Sequence, residues 1–171
     1  MRACSTALGS GRLTMEPSFE KLLGLLAEAG ARFVVVGGVA VTLHGYVRLT
    51  EDVDLLIDDD PANLANLLRT LEGFGEGFAR ELSVGDFTEE EGAIRIVEET
   101  EQCQIDLFTR MSGRSYNDVI ADAERFDLGG REIAYASKAS LIGWKERSVR
   151  EKDRLDAMAL RRLEEDPSAF E

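Results

Sequence analysis

The stretch FVVVGGVAVTLHGYVRLTEDVDLLI, residues 33–57, decides the fold of this chain. It opens with the apolar run Phe33–Val36, and a run of this length rich in β-branched residues is typical of a short buried strand. A glycine pair at 37–38 follows, and residues 39–44 can continue as a helix. A second strand is predicted to begin near Arg48. The stretch therefore predicts a strand, a glycine turn, a helix and a second strand in immediate succession.

The second strand of this unit carries two aspartates. Asp52 and Asp54 stand two residues apart and alternate with Val53, Leu55 and Ile57. Successive side chains of a strand point to opposite faces, so both carboxylates share one face while the apolar residues face the core. Because neighbouring anions repel each other, a fold that aims two of them at one point usually holds a cation there.

The composition is typical of a soluble globular protein. The 171 residues are enough for one domain with a sizeable core, and 44% of them are hydrophobic and 31% charged. No apolar run approaches the roughly 20 residues that span a bilayer, and the N-terminus lacks the apolar region of a signal peptide, so we expect a cytoplasmic protein without membrane contact. The net charge of −13 argues against nucleic-acid binding over the whole surface, although it does not exclude a local basic groove.

We expect three parts along the chain. Residues 1–16 are predicted to form a flexible tail, residues 17–136 a core, and residues 137–171 a helical segment packed on the core. The sequence leaves open whether Met15 is the native start. The chain has only two cysteines, which are too few for a disulfide framework or a zinc site.

The other predicted elements follow from hydrophobic periodicity. Glycine-rich, acidic residues 73–92 receive no assignment. The predicted helices span 17–29, 61–73, 116–123 and two segments of 137–165 broken around 148–150, and the predicted strands span 93–98, 102–109 and 132–136.

A third aspartate, Asp106, lies on the predicted strand 102–109, where an apolar residue would otherwise fit. Cys103, Ile105 and Leu107 share one face of this strand, so Asp106 points to the other face. An aspartate placed against the apolar pattern of a buried strand predicts a functional carboxylate near the aspartate pair.

Together, the glycine pair and the three aspartates predict a nucleotide site. Gly37 and Gly38 would let backbone N–H groups and the helix dipole approach a phosphate without an intervening Cβ. Carboxylates are the ligands that Mg²⁺ prefers beside substrate phosphates, and Mn²⁺ is the alternative ion. Three aspartates at one cleft match a two-metal site, in which Asp52 and Asp54 hold both ions. Asp106 would bind the first ion and help to take the proton from the nucleophile.

The order of these residues resembles the nucleotidyltransferase superfamily related to DNA polymerase β. The shared features are Gly37-Gly38, thirteen intervening residues, Asp52-Val53-Asp54, and a later isolated aspartate in an apolar strand. The resemblance implies an α/β (α+β) nucleotidyltransferase fold, a small mixed sheet flanked by helices with a C-terminal helical segment. It also implies metal-dependent transfer of a nucleoside monophosphate from an NTP, such as ATP, with release of pyrophosphate.

Two stretches are similar to the AbiEii-like toxin branch of that superfamily, which belongs to bacterial toxin–antitoxin systems. They are VGGVAVTLHGYVRLTEDVDLLID, residues 36–58, and ASKASLIGWKERSVREKDRLDAMAL, residues 136–160. The second resembles a helix that carries a catalytic lysine, here Lys145, followed by a KD-x-x-D-like segment. The nucleotide-binding residues that the resemblance implies are Gly37, Gly38, Arg48, Thr50, Lys145 and Asp153.

The branch implies that the acceptor is tRNA or a protein and that a cognate antitoxin is a partner. Residues 138–162 hold eight of the twenty basic residues against four acidic ones, which makes them a candidate RNA surface. Two departures weaken the substrate assignment, because Gly38 stands where many members have serine and the chain is shorter than many toxins. Two alternatives therefore stay open, a transferase for a small molecule of the aminoglycoside type and a non-catalytic nucleotide- or partner-binding module.

Overall fold

The computed structural model describes residues 15–171, so the predicted tail lies almost wholly outside the described residues. In that range the strands are β1 (Phe33–Val36), β2 (Asp52–Ile57), β3 (Ile94–Glu98), β4 (Cys103–Phe108), β5 (Glu124–Leu128) and β6 (Arg131–Tyr135). They form one mixed sheet in the order β3-β4-β2-β1-β6-β5.

Six α-helices accompany the sheet in the described part of the chain. They are α1 (Pro17–Glu28), α2 (Gly37–Leu43), α3 (Pro61–Leu71), α4 (Tyr116–Ile120), α5 (Lys138–Glu146) and α6 (Glu151–Glu165). The unassigned segment 73–92 contains two short 3₁₀ helices, Phe78–Glu81 and Val84–Asp86. Across residues 15–171 we find no helix with the length and apolar character needed to cross a bilayer.

Strand β1 lies inside the sheet and is buried at all four residues. It pairs antiparallel with β2 on one side and parallel with β6 on the other. A strand with neighbours on both edges and side chains buried on both faces needs a continuous apolar run, which is the pattern that predicted it.

Strand β2 pairs on its other edge with β4, and the two strands run parallel. Asp54 lies opposite Asp106 in this register, and Leu55 lies opposite Leu107. Both leucines are buried in the core, so the aspartates take the opposite face of the same two strands. The predicted fold class, a small mixed sheet flanked by helices, is confirmed.

The second strand begins later than predicted, at Asp52 rather than near Arg48. The chain before it is irregular, since Gly45 has a φ of 117° and no strand pairing involves residues 46–51 of the described chain. The Arg48 side chain turns instead to Asp156 on α6. A long-range ion pair of this kind leaves no trace in local periodicity.

Strand β5 was missed by the sequence prediction, and α4 ends at Ile120 rather than at residue 123. β5 is an edge strand that pairs only with β6 among the described residues. Its residues Glu124, Arg125 and Asp127 are exposed, so it lacks the apolar alternation by which a half-buried strand is recognised.

The C-terminal helices break at residues 147–150, where the sequence predicted a break. α5 contacts α6 along its length and also touches α2. The only histidine, His44, lies at the end of α2, and its Nε2 is 2.8 Å from the carbonyl oxygen of Ala136. This contact ties the end of α2 to the chain just before α5. The division into a core and a helical segment stays a prediction.

Candidate active site

The sheet brings the three predicted aspartates to one point. Asp52 and Asp54 share a face of β2, and Asp106 lies beside Asp54 on the parallel neighbour β4. One carboxylate oxygen from each of the three lies within 4.8 Å of those of the other two. Parallel pairing therefore converts two separate sequence features into one cluster of anions.

Gly37 is required by the close approach of α2 to this cluster. β1 pairs with β2 so that Val36 lies opposite Asp54, and Gly37 follows with a φ of 67°. A Cβ added at Gly37 would lie 2.1 Å from Asp54 Oδ2, a distance at which the carboxylate would have to move. Gly37 thus leaves room for Asp54, in addition to the phosphate contact predicted from the sequence.

Gly38 lies beneath the irregular segment that precedes β2. A Cβ there would meet Thr50 Oγ1 at 2.9 Å and Arg48 Nη2 at 3.0 Å. The side chains of Arg48 and Thr50 therefore pack over Gly38, and the structure brings these three predicted nucleotide-binding residues together.

Burial and mutual repulsion act on the protonation of the cluster. Burial raises the pKa of the Asp54 carboxyl to about 7, and the charges of Asp52 and Asp106 add to the rise. Burial also raises the pKa of Asp52, with Asp106 contributing. At Asp106 burial works in the same direction, but hydrogen bonds, first among them those from Arg95, outweigh it and hold its pKa below the ordinary value.

Arg95 is a site residue that the sequence reasoning missed. It lies on β3 directly opposite Asp106, donating from Nε to Asp106 Oδ1 at 2.8 Å and from Nη2 to Oδ2 at 2.9 Å. Its Nη2 is also 3.7 Å from Asp52 Oδ2. The sequence does contain a signal for Arg95. The short turn after Glu98 fixes the β3–β4 register, and this register places Arg95 opposite Asp106.

Lys145, predicted from the resemblance, is buried with only 8% of its surface exposed. Its Nζ lies 3.2 Å from Asp153 Oδ1 and 2.9 Å from Asp156 Oδ2. Asp156 also accepts two hydrogen bonds from Arg48, at 2.8 and 2.7 Å. Two predicted phosphate-binding cations are therefore held by α6. Asp156 was not predicted as a site residue, although it is the last aspartate of the KD-x-x-D-like segment, residues 152–156.

Asp153, predicted as a nucleotide-binding residue, contacts cations of its own chain. In addition to Lys145 it accepts hydrogen bonds from Ser148 Oγ at 2.7 Å and Arg150 Nε at 2.8 Å. Burial would raise its pKa, but the Ser148 bond and the Lys145 and Arg150 charges lower it to about 2. Asp153 is thus held near the start of α6 by three side chains of its own chain, and its role in nucleotide binding stays a prediction.

A cavity of about 700 Å³ opens between the aspartates and these cations. Asp106 does not line it, because both of its carboxylate oxygens are covered by Arg95 and its side chain is only 6% exposed. The predicted site residues that line the cavity are Gly37, Gly38, Arg48, Thr50, Asp52, Asp54, Lys145 and Asp153.

The aspartate cluster fits a divalent cation. Mg²⁺ takes carboxylate oxygens, and three of them converge here. Asp54 Oδ1 is buried and has no hydrogen-bond partner among residues 15–171. A buried, unpaired carboxylate oxygen is costly unless a cation compensates it, so the donor set and its unmet charge both favour a hard metal ion.

Residues 16–168 match the protein family described as "Nucleotidyl transferase of unknown function (DUF2204)". Among curated proteins, none matches the chain. The family match covers most of the sequence, from just before α1 to just after α6.

Two solved structures share the fold. One is described as the lincosamide antibiotic adenylyltransferase LnuA with lincomycin bound; it is 20% identical, the match covers 86% of this chain and 96% of that one, and the TM-score is 0.58. The other, from Paracoccidioides brasiliensis, is described as an antigenic nucleotidyltransferase-like protein; it is 17% identical over 85% of this chain and 76% of that one, with a TM-score of 0.52.

We expect Gly37→Ala to destabilise the protein and to disrupt the aspartate cluster. The left-handed backbone alone costs a non-glycine residue roughly 1–2 kcal/mol, and the new Cβ would also displace the Asp54 carboxylate. Urea unfolding and Mn²⁺ titration measure the two effects. The matched control is Gly24→Ala in α1, where a Cβ meets no described atom within 4 Å and should raise stability by roughly 0.5–1 kcal/mol. Unchanged Mn²⁺ binding in Gly37→Ala would contradict the close packing of Gly37 on Asp54.

We expect Asp54→Asn to stabilise the metal-free protein at pH 8. The pKa of Asp54 is raised to about 7 in the folded protein. The contribution of the protonated carboxyl to the free energy of unfolding is therefore complete below about pH 4 and is lost as the pH rises through 7. Thermal unfolding should therefore give a melting temperature several degrees above wild type at pH 8, since 1 kcal/mol corresponds to about 2–4 °C in a chain of this size, and the difference should shrink toward pH 5. Mg²⁺ should stabilise wild type and leave Asp54→Asn nearly unchanged. The exposed Asp127→Asn serves as control, and a wild-type melting temperature higher than that of Asp54→Asn at pH 8 without metal would refute the prediction.

Proposed function

The chain belongs to the DUF2204 nucleotidyl transferase family, and from this membership we propose that it is a divalent-metal-dependent enzyme that transfers a nucleoside monophosphate from an NTP to an acceptor hydroxyl. The observation that supports metal dependence is the convergence of the three aspartates beside the first residues of α2. Divalent ions bound there would supply Lewis-acid stabilisation of charge on the triphosphate and would lower the pKa of the attacking hydroxyl.

The triphosphate is proposed to lie between the glycines and the cations. Gly37 and Gly38 border the cavity, and neither adds a side chain of its own between the backbone and a bound phosphate. Lys145 and Arg48 border the same cavity and carry the opposite charge to the phosphates. Asp156, which contacts both cations, holds them in place so that neither side chain has to be ordered when the nucleotide binds.

The proposed chemical step is an in-line substitution at the α-phosphorus. The acceptor oxygen forms a bond to this phosphorus, and the bond to the oxygen that bridges to the β-phosphate breaks with its electron pair staying on pyrophosphate. The acceptor's hydroxyl proton passes to a carboxylate. We assign this role to Asp106 because one of its carboxylate oxygens lies within 4.8 Å of those of Asp52 and Asp54, beside the proposed metal ligands.

The acceptor that the geometry supports best is a small molecule. A cavity of about 700 Å³ lies within the range of small-ligand sites, and it must also take the nucleotide. The chain carries a net charge of −13, which disfavours a polyanionic acceptor. A lincomycin-bound protein of the same fold indicates that the fold accommodates such acceptors, although the argument for this chain rests on its own cavity and charge.

A toxin that modifies tRNA is the second candidate, supported by the basic excess of the last two helices. Three of these eight basic residues are paired with carboxylates of the same two helices. Lys145 and Arg150 contact Asp153, and Arg161 makes two hydrogen bonds to Glu146. The surface available to RNA is therefore smaller than the composition indicates.

We expect wild type, supplied with α-labelled NTPs, Mg²⁺ and an acceptor pool, to release pyrophosphate and to transfer label. Each of Asp52→Asn, Asp54→Asn and Asp106→Asn should lower the rate by about 10²–10⁴-fold, because each removes a proposed ligand or base. Asp127→Asn, on the exposed face of β5, should keep the wild-type rate. NTP binding without turnover over a broad acceptor panel would instead favour the non-catalytic module.

The distribution of label separates the two acceptor classes. In parallel reactions with hydroxyl-bearing small molecules, including aminoglycosides and lincosamides, and with total tRNA and protein, we expect label in the small-molecule fraction. Thin-layer chromatography and gel electrophoresis resolve the three products. Label found only in tRNA or protein, and absent with Asp52→Asn, would overturn the small-molecule proposal and favour the toxin.

A further inference from the structure

Arg95 covers one of the three aspartates of the site. Its guanidinium group donates to both carboxylate oxygens of Asp106, at 2.8 and 2.9 Å, and lies 3.7 Å from Asp52. As a result Asp106 is 6% exposed and does not line the cavity, whereas Arg95 does. The third carboxylate of the cluster thus faces a cation of the protein itself.

We propose that Arg95 is an internal counter-cation that leaves Asp106 when a divalent ion binds and then pairs with the triphosphate, so that metal and nucleotide binding become interdependent. This inference rests on the proposed function, and it adds a positioning residue that neither the resemblance nor the family match assigns.

We expect the contact to break because a metal ion and the guanidinium are two positive charges that compete for the same carboxylate. A Mg²⁺ ligand oxygen lies about 2.0–2.1 Å from the ion, and the ion needs a near-ideal octahedral shell. Both Asp106 oxygens already accept charge-assisted hydrogen bonds in their bidentate arrangement. A dication placed among the three carboxylates would also repel a guanidinium held 3.7 Å from Asp52.

The contact can break because the Arg95 side chain is 56% exposed. Its backbone is fixed by the pairing of β3 with β4, so only side-chain rotation is needed. The cavity that Arg95 borders is the one bordered by Gly37 and Lys145. A released guanidinium therefore remains beside the proposed triphosphate position, where bidentate pairing with phosphate oxygens is available to it.

The exchange gives the free protein a way to tolerate three clustered anions. Without a cation the carboxylates repel one another, and Arg95 compensates them until metal arrives. Metal alone must displace this partner and leave the guanidinium unpaired. Metal together with NTP offers it a new partner, so each ligand strengthens the binding of the other.

The test is calorimetric titration of the whole chain with Mn²⁺, which requires no turnover. Arg95→Met keeps an unbranched apolar stem and removes the guanidinium group with its charge, and we expect it to bind Mn²⁺ about tenfold tighter than wild type. Arg95→Lys keeps the charge but loses the bidentate fork, and we expect a gain of several-fold. Arg125→Met, which removes an exposed arginine of β5 whose nearest carboxylate is 4.0 Å away, should bind as wild type.

The second measurement is the coupling between ligands. Mn²⁺ titrations with and without a non-hydrolysable NTP analogue give the factor by which nucleotide strengthens metal binding. We expect this factor to be at least several-fold smaller in Arg95→Met than in wild type, since the mutant has no cation to transfer. A destabilised fold would weaken Mn²⁺ binding in both titrations, so it does not imitate the expected pattern.

The outcomes separate this inference from the proposed function. If Arg95→Lys binds Mn²⁺ as wild type does while Arg95→Met binds it tighter, only the loss of a positive charge near the cluster matters. That result would refute the displacement of a bidentate contact. Unchanged affinity in both variants, or an unchanged coupling factor, also refutes it while leaving the metal site intact. If wild type binds no Mn²⁺, or binds it equally after Asp52→Asn, the metal-dependent function itself fails.

Discussion

The parallel pairing of β2 with β4 is the constraint on which the rest of the site depends. It sets Asp54 opposite Asp106, while Asp52 follows on the same face through the two-residue period of the strand. The same pairing buries Leu55 against Leu107 on the other face. A shift of one residue would turn the leucines toward the cavity and the carboxylates into the core, so hydrophobic burial fixes the register that keeps the anions together.

The anions in turn impose conditions on their neighbours. β1 is antiparallel to β2 and ends opposite Asp54, so the chain must enter α2 at a point already filled by a carboxylate. Only a residue without Cβ and tolerant of positive φ fits there, which explains Gly37. Arg95 reaches the cluster from β3 for a related reason, since antiparallel pairing places it opposite Asp106. The glycine and the arginine are thus consequences of one strand register.

The sequence predicted what local periodicity carries. Asp52 and Asp54 alternate with apolar residues, and Asp106 is a polar residue within an apolar strand. Both patterns follow from the two-residue period of a strand, so the three aspartates can be identified without knowledge of their neighbours in space. Arg95 was missed because its importance depends on strand order, which periodicity does not contain. Asp156 lies in the KD-x-x-D-like segment, but its contacts with Lys145 and Arg48 depend on how α6 docks. The same limitation explains why a strand was predicted around Arg48, where the chain is irregular. The Arg48 side chain hydrogen-bonds to Asp156, a residue over a hundred positions away in the sequence.

On one side of the cavity the cations are paired with carboxylates, and on the other side the carboxylates outnumber their cations. This difference determines which charged ligand fits. On one side Arg48 and Lys145 are already held by Asp156, with Asp153 adding a further carboxylate beside the lysine. On the other side three carboxylates share a single guanidinium, and one buried oxygen of Asp54 has no partner in residues 15–171. A lone NTP would meet both the cations and the uncompensated anions. A metal–NTP complex would present positive charge to the aspartates and negative charge to the cations, and this complementarity is the electrostatic argument for the proposed function.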